Sequence, residues 1–216
     1  MVQRFAAKDG RTVVEDLIDS IKANRSYLSE IDGAIGDGDH GINMAKGFSL
    51  TAERLADGMS LSECFGTLAT ILITEIGGAM GPLYGMLFRG LAKGCEGYES
   101  IDALVFGRML EEAQSNMQKI SQAQEGDKTL MDAWIPAVIS YLSAVRAGKG
   151  FSECLQAMAT AAEVGRDQTK DIVAKVGRAS RLGERSRGTL DAGATSCALL
   201  LRTMADSFGR LLVKTE

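Results

Sequence analysis

The stretch IGDGDHGINMAKGF, residues 35–48, joins a glycine-rich turn to the start of an apolar, helix-like segment. Gly36, Gly38 and Gly41 satisfy the pattern G-x-G-x-x-G, which is typical of a dinucleotide-binding loop. Asp37 and Asp39 stand between these glycines, and their charge would repel a pyrophosphate. The preceding segment, SYLSEIDGAI, is also polar and helix-like, whereas a dinucleotide loop follows a strand. The pattern therefore argues against a dinucleotide site.

A calcium loop of the EF-hand type is a second interpretation of the same stretch. Counted from Asp37, such a loop needs a bidentate Glu where Phe48 stands. Counted from Asp32, it has Ala34 at its third position, where an oxygen ligand is required. Neither register fits, so the sequence does not predict an EF-hand.

A third interpretation starts from the carboxylates of Asp32, Asp37 and Asp39, which lie within eight residues of one another. Clustered carboxylates repel each other unless a cation lies among them. Their oxygens are ligands of Mg²⁺, which usually shares its coordination sphere with substrate phosphate. The helix start at residues 40–43 would offer free N–H groups to the same anion. We therefore predict a magnesium–phosphate site, although an ordinary solvated Asp/Gly turn remains open on this motif alone.

The composition of the chain excludes several classes of protein. Its 216 residues and net charge of −4 suit one domain with a sizeable core. The charges form no basic stripe that would favour nucleic acid, and no apolar run of about 18 residues predicts a membrane span. The N-terminus lacks the apolar core of a signal peptide. Four widely spaced cysteines disfavour zinc and disulfides. We expect a cytoplasmic protein that binds neither nucleic acid nor membrane.

Apolar residues recur at helical spacing along most of the chain. The pattern predicts about eight helices and no sheet, packed as an all-α antiparallel bundle. The expected helices lie at 11–29, from 42 or 43 to 56, from the cap Ser60 through 72, around Leu87 and Leu91, at 100–120, at 129–146, at 151–166 and from 191 or 192 to 212. We expect Trp134 and the cysteines to be core residues.

Three further segments are rich in glycine and polar residues and lie next to predicted helices. They are GGAMGPLYG (77–85), EGDKT (125–129) and GRASRLGERSRGTLDAGATS (177–196). The last one carries four arginines, whose guanidinium groups match phosphate oxygens well. Its Asp191 is typical of a helix N-cap. Each segment on its own could also be a surface loop.

Together the motifs resemble the nucleotide-binding L subunit, or L domain, of dihydroxyacetone kinases. The resemblance is carried by IGDGDHGINMAKGF (35–48), IGGAMGPLYG (76–85), GDKTLMDAWIPA (126–137) and GRASRLGERSRGTLDAGATS (177–196), which are spread over most of the chain. It implies a single L-type nucleotide-binding domain over residues 1–216. The implied fold is an eight-helix antiparallel barrel with the nucleotide held by loops at one end.

The resemblance also implies roles for individual residues. Asp32, Asp37 and Asp39 would chelate two Mg²⁺ ions that bridge the phosphates of ADP or ATP. His40 and Arg178 are the catalytic candidates. The residues expected to contact the nucleotide are His40, Gly41, Ile42, Asn43, Ala79, Met80, Gly126, Thr129, Arg178, Asp191, Ala192 and Gly193.

Three positions depart from the family pattern. Met80 stands where the family often has Ser, Arg181 replaces a usual aromatic residue, and Ala192 replaces a usual proline. These departures concern the ketose substrate and the phosphoryl donor more than the metal cluster.

The activity that the resemblance implies is phosphoryl transfer to a short ketose held by a separate K subunit. The donor would be either exchangeable ATP or a retained ADP that a phosphotransferase-system subunit recharges. We expect a homodimer or a hetero-oligomer. Two other classes stay open: a non-catalytic nucleotide-binding regulator of a partner protein, and a metal-dependent phosphohydrolase.

Overall fold

Helices dominate the part of the chain that the structure describes. The computed structural model describes residues 2–215, with side chains described for residues 2–212. Within that range the helices are α1 (Arg11–Ala23), α2 (Arg25–Ile35), α3 (His40–Ala52), α4 (Leu61–Glu75), α5 (Met80–Cys95), α6 (Ala103–Gln118), α7 (Met131–Arg146), α8 (Phe151–Gln168) and α9 (Ala192–Leu211). The strands are β1 (Val2–Ala6), β2 (Ser100–Asp102) and β3 (Val213–Thr215).

Eight of these helices form a closed ring. α1 packs against α3, each helix from α3 to α8 packs against the next, and α9 packs back against α1. The connections from α4 to α5 and from α7 to α8 are each four residues long, so these packed neighbours run antiparallel. The all-α prediction is confirmed. The ninth helix, α2, packs against α3 and α9.

Large apolar side chains fill the ring. The aromatic rings of Phe106 and Phe208 lie 4.9 Å apart, centroid to centroid. The aromatic ring of Tyr141 lies 5.1 Å from that of Phe106. Trp134 is fully buried, as expected, and so are the four cysteines. Ser60 caps α4 in a reciprocal capping box with Glu63, which confirms its predicted role. Each helix in the described residues is too short or too polar to span a bilayer.

The predicted helix at 11–29 is wrong in one respect, because it divides at Asn24. The φ and ψ angles of Asn24 are −100° and 8°, outside the helical region, and both its backbone N–H and its side-chain amide donate to the carbonyl of Ser20. These hydrogen bonds cap the C-terminal end of α1, and a new helix starts at Arg25. As a result Asp32 lies in the last turns of α2, whereas the sequence pattern placed it at the edge of a loop.

The prediction of no sheet is also wrong. β1 pairs antiparallel with β2 on one side and with β3 on the other. Phe5 lies opposite Ile101 in this register, and both side chains are buried. The strands are three to five residues long and come from distant parts of the chain. Such short segments show no alternation, and β2 takes the start of the helix predicted at 100–120.

Candidate functional site

A cleft of about 530 Å³ opens where several inter-helix connections meet. Its wall is formed by the turn between α2 and α3, the start of α5, the residues before α7, and the long connection before α9. Residues from five segments contribute to the lining: 32–43, 77–84, 128–130, 176–179 and 191–193. This volume is ordinary for a site that binds a small molecule.

Three acids cluster on one wall of this cleft. One carboxylate oxygen from each of Asp32, Asp37 and Asp39 lies within 4.8 Å of the others. Gly38, with φ of +75°, supplies the left-handed turn that brings Asp37 and Asp39 together. Asp32 is partly buried, and the other two are exposed. Oxygen-only ligands that are open to solvent fit a hard divalent cation such as Mg²⁺, which keeps room for water and phosphate.

The N-terminus of α3 lies directly against this cluster. The backbone N–H of His40 donates to Oδ2 of Asp32 over 3.3 Å. Gly41 permits this approach, because a Cβ atom there would overlap the carbonyl oxygen of Arg25 in α2. The first N–H groups of a helix attract anions. The arrangement therefore places an anion-attracting helix end beside a cation-attracting acid cluster.

His40 is held by the opposite wall. Its Nε2 lies 2.8 Å from the hydroxyl of Ser196, at the start of α9. Burial lowers the pKa of His40 to about 4, and the nearby charge of Asp32 opposes this shift only in part. The imidazole is therefore neutral at pH 7.

Arg178 reaches the acid cluster from the connection before α9. Its guanidinium contacts the carboxylate of Asp37. Arg187 instead donates to the carbonyl of Asp171 and pairs with Glu184, outside the lining of the cleft. Arg178 is therefore the member of the arginine-rich segment that is placed to meet an anion in the cleft.

The segment before α7 is held by two buried charges. Lys128 is 2% exposed and has a left-handed backbone, with φ of +62°. Its Nζ donates to the carbonyls of Thr169, at 2.5 Å, and Thr189, at 2.6 Å. Burial lowers its pKa, and the charges of Asp191 and Asp132 oppose that shift. Lys128 thus ties the connection that carries Arg178 to the floor of the cleft.

Asp132 organises the same segment from inside α7. It is 2% exposed, and its two carboxylate oxygens accept the N–H groups of Gly126 and Thr129, each at 2.7 Å. Thr129 lines the cleft, whereas Gly126 does not.

Asp191 caps α9, as its sequence context predicts. Its Oδ2 accepts the N–H of Ala194 over 2.7 Å. Burial of the carboxyl group raises its pKa to about 7, and the charges of Asp132 and Asp32 act in the same direction. The Ala194 hydrogen bond and the ammonium of Lys128 oppose the shift.

Most of the residues expected at the site line this single cleft. The exceptions are Gly41, which is buried, Ile42, which is 47% exposed, and Gly126. Tyr84 and Ser196 were not among the expected residues. Both lie inside the motifs quoted above, but they sit on helices whose neighbours are apolar, where hydroxyl groups give no sequence signal.

The sequence is similar to known proteins over most of its length. The family model described as DAK2 domain matches residues 34–206. A Listeria innocua protein named as the ADP-binding subunit DhaL of PEP-dependent dihydroxyacetone kinase 1 is 37% identical over 196 residues, with 88% of this chain and 91% of the relative covered. The ADP-binding subunit DhaL of a PTS-dependent dihydroxyacetone kinase from Lactococcus lactis is 36% identical over 190 residues, with coverage of 87% and 91%.

A solved structure shares the fold. The dihydroxyacetone kinase of C. freundii, in complex with AMP-PNP and Mg²⁺, superposes with a TM-score of 0.64 at 24% sequence identity. The superposition covers 90% of this chain and 33% of that one. Because the family model spans most of the sequence and two relatives match over nearly their full length, the chain belongs to the DAK2 domain family.

Proposed function

We propose that this chain is the nucleotide-binding subunit of a dihydroxyacetone-type kinase, with residues 1–216 as one nucleotide-binding domain. It holds Mg²⁺ with ADP or ATP and passes a phosphoryl group to a short ketose bound on a separate K subunit. The observation that carries the proposal is the meeting of the acid cluster, the N-terminus of α3 and Arg178 in one cleft.

The charges in the cleft explain why metal and nucleotide belong together. Asp32, Asp37 and Asp39 alone would repel a diphosphate. Two divalent ions held by these acids would neutralise the negative charge of the phosphates. The start of α3 would offer N–H groups to the same phosphates, and Asn43 lines the cleft one turn further along.

The remaining side chains of the cleft include a polar set, Arg178 and His40, and an apolar set. Arg178 supplies a permanent positive charge, which phosphoryl transfer needs where charge develops on the transferred group. Neutral His40 supplies a hydrogen-bonding ring nitrogen. Apolar side chains of Met80, Leu83 and Val176 line the rest of the cleft and suit a nucleobase.

The names of the relatives favour one donor over the other. The Listeria innocua and Lactococcus lactis relatives are named as ADP-binding subunits, of kinases that depend on PEP or on the PTS. We therefore favour a retained ADP that a phosphotransferase-system subunit recharges over freely exchanging ATP. The partners that this version requires are a K subunit and that phosphodonor.

Phosphoryl transfer in a reconstituted mixture tests the proposal. The chain is combined with Mg²⁺, ADP, a K subunit loaded with dihydroxyacetone, and either ATP or a phosphorylated phosphotransferase-system donor. We expect dihydroxyacetone phosphate, and ADP that stays with the chain through purification. Release of inorganic phosphate without a ketose would instead indicate a phosphohydrolase. Tight Mg–ADP binding without transfer from either donor would indicate a regulator.

A further inference from the structure

A series of hydrogen bonds leads from the interior of the helix ring to the acid cluster. The Oη of Tyr84, on α5, lies 2.6 Å from Oγ of Ser196, on α9. That Oγ lies 2.8 Å from Nε2 of His40, on α3. Tyr84 is 1% exposed and Ser196 is fully buried. Three helices therefore meet through one buried serine, and His40 is the member that lines the cleft beside the acids.

The number of protons available decides the direction of these bonds. Ser196 has a single hydroxyl proton, and the carbonyl of Ala192 accepts it over 3.0 Å. That bond to the residue four positions earlier is common for serine in a helix. The Ser196 oxygen can then accept two protons, one from Tyr84 and one from Nε2 of His40. All three polar groups form hydrogen bonds in this arrangement, as buried polar groups in proteins usually do.

The opposite direction satisfies fewer groups. If Ser196 donated to Nε2, its hydroxyl would no longer bond to the Ala192 carbonyl, and the ring proton would move to Nδ1. The serine oxygen would then accept at most the proton of Tyr84, which also lies 3.0 Å from the carbonyl of Gly193. The first arrangement forms one more hydrogen bond among the same atoms.

We propose that Ser196, supported by Tyr84, is a positioning residue that keeps a proton on Nε2 of His40, so that Nδ1 of the neutral ring is left as an acceptor for a bound ligand. An acceptor nitrogen pairs with an O–H donor, such as a metal-held water or a nucleotide hydroxyl, and not with a phosphate oxygen. This use of Nδ1 rests on the proposed function, whereas the proton position on the ring does not.

Nitrogen NMR of the full-length chain tests the proton position directly, because His40 is the single histidine of the sequence. In ¹⁵N-labelled protein without ligand, at a pH where the ring is neutral, long-range proton–nitrogen spectra report both ring nitrogens. We expect Nε2 at the shift of a protonated nitrogen and Nδ1 at that of an unprotonated one. The reverse assignment, or two equal averaged shifts, would overturn the proposal. This wild-type measurement stands even if a variant does not fold.

Ser196→Ala separates positioning from mere packing. We expect both nitrogen shifts in this variant to move toward a common averaged value, because nothing then fixes the proton on Nε2. Ser207→Ala is the matched control, since Ser207 is a buried serine on the same helix whose hydroxyl donates to Asp16. It should leave both shifts at their wild-type values. Unchanged shifts in Ser196→Ala would contradict the proposal. Absence of Mg–ADP binding would overturn the proposed function and leave this result intact.

Discussion

The guanidinium of Arg178 contacts the carboxylate of Asp37 across the mouth of the cleft, and the two side chains are 64% and 48% exposed. An ion pair that is this exposed stabilises a fold little. Its importance lies in its position, because it joins an anion-binding side chain to a candidate metal ligand. A cation bound at Asp37 would compete with this contact and leave the guanidinium free to meet a phosphate oxygen.

Arg178→Ala should weaken Mg–ADP binding while leaving the fold intact. Loss of a hydrogen bond to a charged group costs about 1.5–3 kcal/mol, which is roughly a tenfold to hundredfold loss of affinity. Calorimetric titration of ADP in the presence of Mg²⁺ measures it. Arg185→Ala, an exposed change in the same connection, is the control and should bind like wild type. Equal affinities for the two variants would remove Arg178 from the site.

Lys128→Met should destabilise the folded chain. The ammonium donates to two carbonyls, and that of Thr169 belongs to a fully buried residue. Leaving buried acceptors without a donor costs about 1–3 kcal/mol. The change appears as a lower urea midpoint of unfolding. Lys149→Met, at a half-exposed lysine in a loose pair with Glu153, should shift stability by less than about 0.5 kcal/mol. Similar midpoints for both variants would contradict the role given to Lys128.

Gly41→Ala should damage the junction between α2 and α3. The added methyl group overlaps the carbonyl of Arg25 and comes within 2.8 Å of the backbone nitrogen of Ser29. Such overpacking costs about 1–3 kcal/mol. Gly66→Ala, in α4, meets open space and should gain about 0.5–1 kcal/mol from helix propensity. Urea unfolding compares the two, and a Gly41→Ala protein as stable as Gly66→Ala would refute the close approach.

Asp191 should make stability depend on pH. Its pKa is raised from 3.8 to about 7, so the folded chain holds this proton more strongly than the unfolded chain does. The resulting stabilisation is present at low pH and is lost as pH rises from about 4 to about 7. Asp191→Asn keeps a capping side chain but does not titrate.

The stability of Asp191→Asn relative to wild type should therefore rise across that pH window. Urea unfolding of both proteins, without metal or nucleotide, measures the difference at several pH values. Asp206→Asn, an exposed change on the same helix, should show no such trend. A difference that stays constant or falls with rising pH would contradict the raised pKa.

Local signals in the sequence predicted much of the fold. Helical periodicity located the ring helices, and Ser60 and Asp191 marked two helix starts because their caps depend on nearby residues. The break at Asn24 was missed because neither Gly nor Pro marks it. The sheet was missed because its short strands are brought together only by the tertiary fold.

In the candidate site, too, the sequence predicts features that depend on nearby residues and misses those that depend on the tertiary fold. Glycines and acids close together in sequence predicted the cluster of Asp32, Asp37 and Asp39. The pairing of Tyr84 with Ser196, and the burial of Lys128 under two distant carbonyls, depend on how separate helices pack. No single stretch of sequence contains that information.

In the proposed function, the three aspartates hold divalent ions that in turn hold a nucleotide. The most direct measurement is the affinity for ADP, with Mg²⁺ and with a chelator, of wild type, Asp37→Asn and the control Asp206→Asn. We predict that wild type and the control bind ADP only with Mg²⁺. We predict that Asp37→Asn loses about tenfold or more of this affinity, with its helix content unchanged by circular dichroism. Mg–ADP binding by Asp37→Asn as tight as that of wild type would contradict the account.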